Sequence, residues 1–553
     1  MTATSPNAAS RTASSAAPAW GSGIENQRRA NLGDGTYRNP VMGGDYPDPT
    51  VLRVGDRYYL TYSSFESSPG IVLWRSENLV DWEPVGPACP EPWGNVFAID
   101  LVEHAGRYYM YIPFMPTSWS RVDAPTIAVM WADDIEGTWH GPIDLGLRGY
   151  IDPGHAVGED GERYLFLNGV DRVRLTPDGL GTVGEVEHVY DGWHYPEDWV
   201  VEAYSLEGPK HVQRDGWHYL VSAVGGTAGP ATGHMVIVAR SRSIDGPWEN
   251  MPTNPLVRCT DAAQPWWSRG HGTLLEGPGG QWYVIYHAYE RGAQGLGRQI
   301  LLEPVDWTDD GWPVARGGDL TAPLPLPGGG SQQRPHGVAL SDDFHTPAWG
   351  WRWTFDRPGA DETARAAFTE AGLVLAGKGQ DPTSASPMTV RAPDRSYRVE
   401  VGIELLDAAR AGEDGGPQTG AAGACGSEPG TSGGSGTLGT TAGLLLFFNH
   451  RLFLGLELAA GRLQAWTGGT RTWGSQPLPE GTRALELALD KREHIVQMYY
   501  RSPGHTEWTH YPLTLECSGY HANTANDLVS LRPAVFAAGP GSARITDFRY
   551  RAL

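Results

Sequence analysis

Three carboxylates occupy equivalent positions in repeated segments of the chain. Asp48 lies in Pro-Asp-Pro, Asp152 in Ile-Asp-Pro-Gly and Glu207 in Leu-Glu-Gly-Pro, each 7 to 9 residues before a Gly-bearing turn. The neighbouring prolines restrict the backbone around them. Two carboxyl groups of different pKa can divide acid and base work, as glycoside hydrolysis requires, and a third nearby raises the pKa of the acid. A single such carboxylate is more often a turn cap, but three in the same phase favour a catalytic role.

Five segments that resemble one another must position these carboxylates. Each joins a Gly-bearing turn to an aromatic and β-branched run, which is typical of a strand leaving a hairpin. The turn glycines are Gly55, Gly106, Gly161, Gly216 and Gly280. Five such units predict a five-bladed β-propeller, whose innermost strands surround a channel and bring distant residues to one mouth. The alternative is an irregular all-β domain in which these turns recur by coincidence.

The pattern after the repeats predicts a second β domain, so the expected fold class is all-β. The chain has 553 residues, with 73 glycines and 43 prolines that indicate many turns. We predict a propeller over 37–320, a Pro/Gly-rich linker over 321–339 and a concanavalin-like β-sandwich over 340–553. Residues 1–36 are expected to be a disordered tail. The Gly/Ser-rich stretch 407–441 is expected to be a flexible insertion.

The charge and the apolar pattern limit the classes of partner. There are 42 basic and 64 acidic residues, and the formal net charge is −22. This excess of negative charge argues against nucleic acid and anionic membranes as partners, but not against a neutral sugar. No apolar run is long enough for a transmembrane helix. The N-terminal stretch lacks the features of a signal peptide, so we expect a cytoplasmic location.

The motifs of the repeats resemble those of glycoside hydrolase family 43. The resemblance rests on GDYPDPTVL, YIDPGHAV, SLEGPKHV, RGHGTLLEG and LGRQILLEP, and it extends over residues 37–315. It is strongest to the β-xylosidase and α-L-arabinofuranosidase members with a C-terminal β-sandwich, which residues 340–553 resemble. The family fold is a five-bladed propeller, in agreement with the number of repeats.

The resemblance implies a role for each of the three carboxylates. Asp48 is similar to the family's general base, Glu207 to its general acid, and Asp152 to the aspartate that modulates the acid's pKa and orients it. The family inverts the anomeric configuration. Because inversion requires room for a water molecule, we expect the carboxyl groups of Asp48 and Glu207 to lie roughly 6.5–9.5 Å apart.

Two further residues are candidates for substrate binding. The resemblance implies that His271 lies near the channel axis, where it contacts the sugar or a calcium-centred water cluster, and that Arg298 contacts sugar hydroxyls. The alternatives are a hydrogen-bonded inner-strand histidine and a structural ion pair. No cofactor is expected to be required. A structural calcium ion in the channel, with His271 as a candidate metal ligand, is left open, although calcium prefers oxygen ligands.

Aromatic residues before and within the first two repeats could form a platform for the sugar ring. The candidates are Phe65, Trp93 and Phe97, with Trp74 and Trp119 as further possibilities. Packing within the blades is the alternative for each. The sequence departs from the family at Phe97-Ala-Ile-Asp100, where many members have Trp-Ala-Pro-Asp. Asp100 is a candidate site-lining carboxylate, and the changed aromatic leaves the identity of the sugar open.

These observations together predict an inverting exo-glycosidase that removes terminal β-D-xylosyl or α-L-arabinofuranosyl residues from oligosaccharides. One alternative keeps the fold and changes the sugar, as in a galactofuranosidase or an arabinan-directed enzyme. Another is a non-catalytic glycan-binding propeller. Unpaired carboxylates in a purely binding site would cost desolvation without benefit, which argues against this alternative. The expected partner is an oligosaccharide, and a homo-oligomer is left open.

Overall fold

The N-terminal segment is an ordered part of the fold. The structure, a computed structural model, describes residues 20–359, 362–406 and 439–553. Strands β1 (Gly21–Ser22) and β2 (Arg28–Arg29) pair with each other, and β3 (Thr36–Tyr37) pairs with Leu324–Pro325. The predicted disordered tail is therefore wrong for residues 20–36, and its residues 1–19 lie outside the described part. Arg28 explains the difference, since it forms an ion pair with the buried Glu290.

Five antiparallel sheets form the blades of the predicted propeller, which is confirmed. The first blade contains β4 (Thr50–Val54), β5 (Arg57–Thr61), β7 (Gly70–Ser76) and β8 (Glu83–Cys89), with β6 (Ser67–Ser68) in the loop before β7. The second contains β9 (Asn95–Val96), β10 (Asp100–His104), β11 (Arg107–Met115), β12 (Thr126–Ala132) and β13 (His140–Arg148). The third contains β14 (Gly154–Val157), β15 (Arg163–Phe166), β16 (Asp171–Leu175) and β17 (Thr182–His188).

The last two blades close the ring. The fourth contains β18 (Glu207–Arg214), β19 (Trp217–Val224), β20 (Met235–Ser241), β21 (Glu249–Asn250) and β22 (Val257–Arg258). The fifth contains β23 (Trp266–Glu276), β24 (Trp282–Glu290), β25 (Arg298–Trp307) and β26 (Pro313–Ala315). The innermost strands β4, β10, β14, β18 and β23 each contact the innermost strand of both neighbouring blades. The starts of these five strands therefore face one channel.

Strands in the middle of a blade are buried on both faces, because each blade packs between two others, whereas outer strands such as β13 and β17 are largely exposed. β7 and β20 are buried over almost their whole length, so they read as continuous apolar runs. All five turn glycines predicted from the repeats have a positive φ, between 60° and 81°. This conformation is easily adopted by glycine, which explains why the residue recurs at these turns.

Residues beyond β27 (Leu324–Pro325) form the predicted β-sandwich. Its strands are β28 (Thr354–Asp356), β29 (Ala366–Thr369), β30 (Gly372–Ala376), β31 (Met388–Thr389), β32 (Tyr397–Leu406), β33 (Thr441–Asn449), β34 (Leu452–Ala459), β35 (Arg462–Thr467), β36 (Thr470–Pro477), β37 (Ala484–Arg492), β38 (Ile495–Arg501), β39 (Thr509–Glu516), β40 (Arg532–Ala538) and β41 (Ser542–Ala552). β32 alternates between buried and half-exposed residues, as a strand with one core face does. The insertion predicted over 407–441 falls largely on 407–438, outside the described residues, and Thr441 begins β33.

The propeller and the sandwich share a sheet. β6, from the loop between the second and third strands of the first blade, pairs with β28 and is the edge strand of the sandwich's eight-stranded sheet. The neighbouring Phe65 belongs to the hydrophobic core of the sandwich. The two domains are therefore joined by backbone hydrogen bonds and by a common core.

Helical segments are short throughout the described residues. They are single turns at Ile24–Asn26, Asn168–Val170, Pro278–Gly280, Gln294–Leu296, Glu362–Arg365 and Ala522–Ala525. Within the described ranges there is consequently no helix whose length and apolar character would let it cross a membrane.

Candidate active site

The three carboxylates lie at the starts of innermost strands. Asp48 precedes β4 by two residues, Asp152 precedes β14 by two residues, and Glu207 is the first residue of β18. Asp48 and Asp152 have φ values of 55° and 53°. This left-handed conformation is uncommon for residues other than glycine, and such strain is often found at functional sites. The propeller thus brings together residues that lie up to 159 positions apart in the sequence.

Asp48 is surrounded by groups that stabilise its charged form. Its Oδ1 lies 3.0 Å from Nη1 of Arg298, 3.1 Å from Nδ1 of His287 and 3.5 Å from Nδ1 of His271. The hydroxyl of Ser63 donates to Oδ2 at 2.6 Å. Burial alone would raise the pKa of Asp48, but Arg298 and the two histidines hold this pKa well below its usual range. Asp48 is therefore ionised at neutral pH, as a base must be.

The pKa of Glu207 is shifted in the opposite direction. Burial raises its pKa first, and the nearby charges of Asp152 and Asp48 raise it further, so that the pKa lies well above the usual value of a glutamate. Arg298 opposes this shift. A carboxyl group that keeps its proton at neutral pH can donate it, so Glu207 is suited to act as an acid.

The pKa of Asp152 is subject to opposing electrostatic effects. Burial and the charge of Asp48 raise the pKa of Asp152, whereas Lys210 and the backbone N–H of Gly208 lower it. Lys210 is itself buried, and its Nζ lies 2.8 Å from Oδ1 of Asp100. The raised pKa of Asp152 and that of Glu207 belong to one coupled system, in which each group influences the proton on the other.

Gly208 provides the space in which His271 lies beside Glu207. It has a φ of 59°, and a Cβ atom at this position would come within 2.7 Å of Nε2 of His271. His271 also has a positive φ, at 55°. A side chain at residue 208 would therefore displace the histidine from the neighbourhood of the acid.

Arg298 offers further hydrogen-bond donors beside an aromatic pair. Among the described residues, its Nε and Nη2 atoms are buried and have no hydrogen-bond partner. Its guanidinium carbon lies 4.9 Å from the ring centre of Phe65, which is 5.2 Å from that of Phe97. The structure thus brings Arg298 and Phe65 together at Asp48, with Phe97 beside them. Donors next to an aromatic face suit the hydroxyls and the apolar face of a sugar.

Trp93 and Asp100, which were predicted to bind the sugar, make structural contacts instead. The Trp93 ring packs 5.6 Å from Phe114 against the core between the first two blades. Asp100 accepts hydrogen bonds on both oxygens, from Lys210 and from the backbone N–H of His155. Blade packing therefore describes Trp93 better than a sugar platform does, and Asp100 braces the second, third and fourth blades.

Sequence reasoning missed several residues around Asp48. Ser63 bonds its carboxylate directly, and His287 lies within 3.1 Å of it. The hydroxyl of Thr227 lies 3.1 Å from Nε2 of His287. A signal for His287 was present, because it is a histidine within the apolar run of the fifth repeat. Ser63 and Thr227 carry no such signal, since both are common loop residues.

Calcium does not fit the ligand atoms of this site well. Glu207, His234 and His271 each place one ligand atom within 4.8 Å of the others. Calcium takes six to eight oxygen ligands, and this set offers one carboxylate with two imidazoles, so direct coordination of calcium does not suit these residues. The Nε2 atoms of both histidines are buried and, within the described part of the chain, have no hydrogen-bond partner. They are free to contact water or a sugar hydroxyl.

Comparisons with known proteins agree with this geometry. The family model of the glycosyl hydrolases family 43 matches residues 37–313. A xylan 1,3-beta-xylosidase of Vibrio sp is 30% identical over 339 residues, which cover 53% of this chain and 60% of that protein. A non-reducing end alpha-L-arabinofuranosidase of Bacteroides ovatus is 30% identical over 356 residues, which cover 59% of this chain and 62% of that protein. The alignments thus span less than two thirds of the length of these relatives.

Solved structures resemble both domains. The structure of the GH43 BlXynB protein from Bacillus licheniformis matches with a TM-score of 0.77 and 25% identity, over 94% of this chain and 100% of that one. The Bacteroides ovatus xyloglucan PUL GH43B matches with a TM-score of 0.77 at 22% identity, over 94% of this chain and 100% of that one, which supports the fold alone. The arrangement of propeller and sandwich is therefore shared along almost the whole described chain.

Proposed function

The chain belongs to glycosyl hydrolases family 43, and we propose that it is an inverting exo-glycosidase that removes terminal β-D-xylosyl or α-L-arabinofuranosyl residues from oligosaccharides. The observation that carries the proposal is that the pKa values of two neighbouring carboxyl groups are shifted in opposite directions. The pKa of Asp48 is held low by Arg298 and two histidines, while that of Glu207 is held high by burial and by its acidic neighbours.

The proposed reaction is a single displacement. Glu207 donates its proton to the glycosidic oxygen, and the bond between this oxygen and the anomeric carbon breaks. A water molecule on the opposite face of the sugar gives a proton to Asp48 and forms the new bond to the anomeric carbon. Asp48 ends protonated and Glu207 ionised, and exchange with solvent restores both. The product sugar has the inverted configuration.

The remaining groups set the charge states of Asp48 and Glu207 and position the sugar. Arg298 keeps Asp48 ionised and presents free N–H groups to the hydroxyls of the terminal sugar. Asp152 raises the pKa of Glu207, so that the acid holds its proton until the leaving oxygen needs it. The Nε2 atoms of His234 and His271 are further partners for hydroxyls or for the water molecule.

The assignment of a pentose rests on the relatives. The names of two of them specify a xylosidase and an arabinofuranosidase, and the two sugars are pentoses that differ in ring size and linkage. Activity on another furanoside, such as a galactofuranoside, keeps the same carboxylates and changes only the pocket walls.

A panel of nitrophenyl glycosides tests the proposal. We expect the β-D-xyloside or the α-L-arabinofuranoside to be the best substrate, and NMR of the first product should show the inverted anomer. Asp48→Asn and Glu207→Gln should each be folded and far less active. Retention of configuration, or normal activity of Asp48→Asn, would contradict the mechanism.

A further inference from the structure

One tight turn of the third blade binds the chain beside two of the three central carboxylates. The turn is Asn168–Val170, between β15 and β16. Oδ1 of Asn168 accepts a hydrogen bond from the backbone N–H of Ile151 at 2.8 Å. The backbone N–H of Asn168 in turn donates to the carbonyl of Ile151 at 3.2 Å. Both backbone groups of the residue before Asp152 are therefore bound by one asparagine.

The same turn also contacts the fourth blade. The N–H of Gly169 donates to the carbonyl of Leu206 at 2.8 Å. This carbonyl belongs to the planar peptide unit that joins Leu206 to Glu207, so the bond fixes the orientation of the backbone from which the glutamate side chain starts. Consecutive residues of one turn thus hold the chain directly before Asp152 and directly before Glu207.

The turn is anchored on both sides of the third blade. Leu167, directly before it, is fully buried in the core between the second and third blades. Val170 is fully buried in the core between the third and fourth blades. The innermost strands beside the turn are also in close contact, because a Cβ atom on Gly154 would come within 1.6 Å of the carbonyl oxygen of Pro209. The turn is therefore a fixed reference for both carboxylates.

The first blade has a corresponding contact at the equivalent position. Asp48 and Asp152 each lie two positions before the first residue of their innermost strand. Ser63 and Asn168 each lie two positions after the residue that pairs with this first residue. The N–H of Ser63 donates to the carbonyl of Pro47 at 3.0 Å, as that of Asn168 does to the residue before Asp152. In two blades, the same position in the loop after the second strand therefore holds the carboxylate-bearing segment.

The separation of Asp152 and Glu207 matters because their charges act on each other. After burial, the charge of Asp152 is the largest influence that raises the pKa of Glu207. This influence weakens as the two groups move apart. Other elements carry the remaining groups that face Glu207, namely Asp48, Arg298, Glu202, His234 and His271. The bonds of the turn involve none of these residues, so the turn acts on the carboxylates through the backbone beside Asp152 and Glu207.

We propose that Asn168 is a positioning residue, which holds Asp152 in the left-handed conformation that keeps its carboxylate at the start of β18, beside Glu207. The inference rests on the proposed function, in which Glu207 is the acid. Without the side chain of Asn168 the N–H of Ile151 loses its partner, and the strained backbone of Asp152, with a φ of 53°, can relax to an extended conformation. The carboxylate of Asp152 then moves away from the acid.

Two substitutions at one position test the proposal. Asn168→Ala removes Oδ1, whereas Asn168→Asp keeps an acceptor oxygen and adds a negative charge. Asn254→Ala is the matched control: Asn254 is also half-buried, and its Oδ1 accepts one backbone N–H, that of Val238 in β20, at 2.9 Å. For each variant we measure Tm and the pH dependence of kcat and kcat/KM for a disaccharide of the best sugar.

Asn168→Ala should move the alkaline limb of the profile, where the acid loses its proton, to lower pH. Its kcat should fall roughly ten- to hundredfold with little change in KM. In Asn168→Asp the limb should stay in place or move to higher pH, because the contact is kept and the added charge disfavours ionisation of the acid. Asn254→Ala should lower Tm and leave the limb in place. An unmoved limb in Asn168→Ala, or an equal downward shift in Asn168→Asp, would overturn the role of Asn168.

A titration that does not depend on catalysis separates this inference from the proposed function. NMR of protein with labelled glutamate carboxyl carbons follows the ionisation of Glu207, whose signal is identified by its loss in Glu207→Gln. The midpoint should move to lower pH in Asn168→Ala. If the wild-type protein cleaves no pentoside, the proposed function fails, and a lowered midpoint still supports the role of Asn168. If pentosides are cleaved and neither the midpoint nor the alkaline limb moves, the role of Asn168 alone is wrong.

Discussion

The Asp48 carboxylate and the Arg298 guanidinium lie 3.0 Å apart at the centre of the propeller, and both side chains are almost fully buried. A charge pair inside a protein interacts more strongly than in water, because the surroundings screen it less. Residue 298 lies at the start of β25 in the fifth blade, while Asp48 precedes the first. The charge state of Asp48 therefore depends on the closure of the ring between its first and last blades.

Substitution of Arg298 should change the acidic side of the pH profile. In Arg298→Met the pKa of Asp48 should rise, because the charge that lowers it most is gone. The base must be ionised, so the acidic limb of kcat/KM for a nitrophenyl glycoside should move to higher pH. Arg298→Lys retains the charge and should shift the limb less. An acidic limb that does not move in Arg298→Met would contradict the role of the ion pair.

Asp152 should control the alkaline side of the same profile. Its charge raises the pKa of Glu207, so Asp152→Asn should lower that pKa and move the alkaline limb to lower pH. The exposed Asp133→Asn is a suitable control, since its carboxylate pairs with Arg107 in a surface turn. A profile that loses height without moving its alkaline limb would indicate that Asp152 only orients the site.

The loss of activity on removal of the proposed acid, Glu207, should depend on the leaving group of the substrate. Glu207→Gln cannot donate a proton, so kcat/KM for a disaccharide should fall by roughly 10²- to 10⁴-fold. A nitrophenolate leaves without protonation, and the loss on an aryl glycoside should be much smaller. Measurement of both substrates in parallel checks this, and equal losses would exclude Glu207 as the acid.

Gly208 allows a test of the space beside His271. Gly208→Ala should destabilise the fold by about 1–2 kcal/mol through its positive φ, and it should also displace His271 and reduce kcat. Gly55→Ala is the matched control, because Gly55 has a φ of 60° and a Cβ there would meet nothing within 4 Å. The control should show a similar loss of stability in thermal unfolding and normal kinetics. Normal kcat in Gly208→Ala would contradict the steric argument.

Glu290 should link stability to pH. Burial alone would raise its pKa, but Arg28 and Arg395 lower it to about 2. The pKa of Glu290 in the folded state lies below its unfolded value of about 4.3. The ion pairs of Glu290 therefore stabilise the fold above that pH, and this stabilisation is lost as the pH falls toward 2. Glu290→Gln should unfold at lower temperature at pH 7, with a loss of roughly 3–5 kcal/mol.

The pH dependence of the difference in Tm serves as the control for Glu290→Gln. The difference in Tm between wild type and Glu290→Gln should shrink between pH 4.5 and pH 2.5. A difference that is constant over this range would show that the substitution acts by packing and not by charge.

Much of the fold and the three central carboxylates could be predicted from the sequence, because both follow a repeated sequence pattern. The Gly-bearing turns recur, and Asp48, Asp152 and Glu207 each lie 7 to 9 residues before such a turn. The partners of these carboxylates could not be found in this way. Ser63 contacts Asp48 from the loop after β5, and this contact depends on the fold that brings the loop beside Pro47 and Asp48.

Long-range pairs and packing explain the other differences. Asp100 lies three residues after Phe97, yet its partner Lys210 lies 110 positions away, so the site-lining candidate is instead a link between blades. Residues 20–36 have the composition of a tail, but Arg28 binds Glu290 and Asp394. Such contacts depend on surfaces that only the folded domains create.

The pairing of β6 with β28 limits how this protein can be truncated or recombined. A chain truncated after the propeller would expose an unpaired strand edge beside the loop of Ser63 and Phe65, and unpaired edges promote aggregation. The sandwich is thus not a detachable module that can be exchanged between enzymes at the linker. Chimaeras should place their junctions so that β6 and β28 come from the same parent.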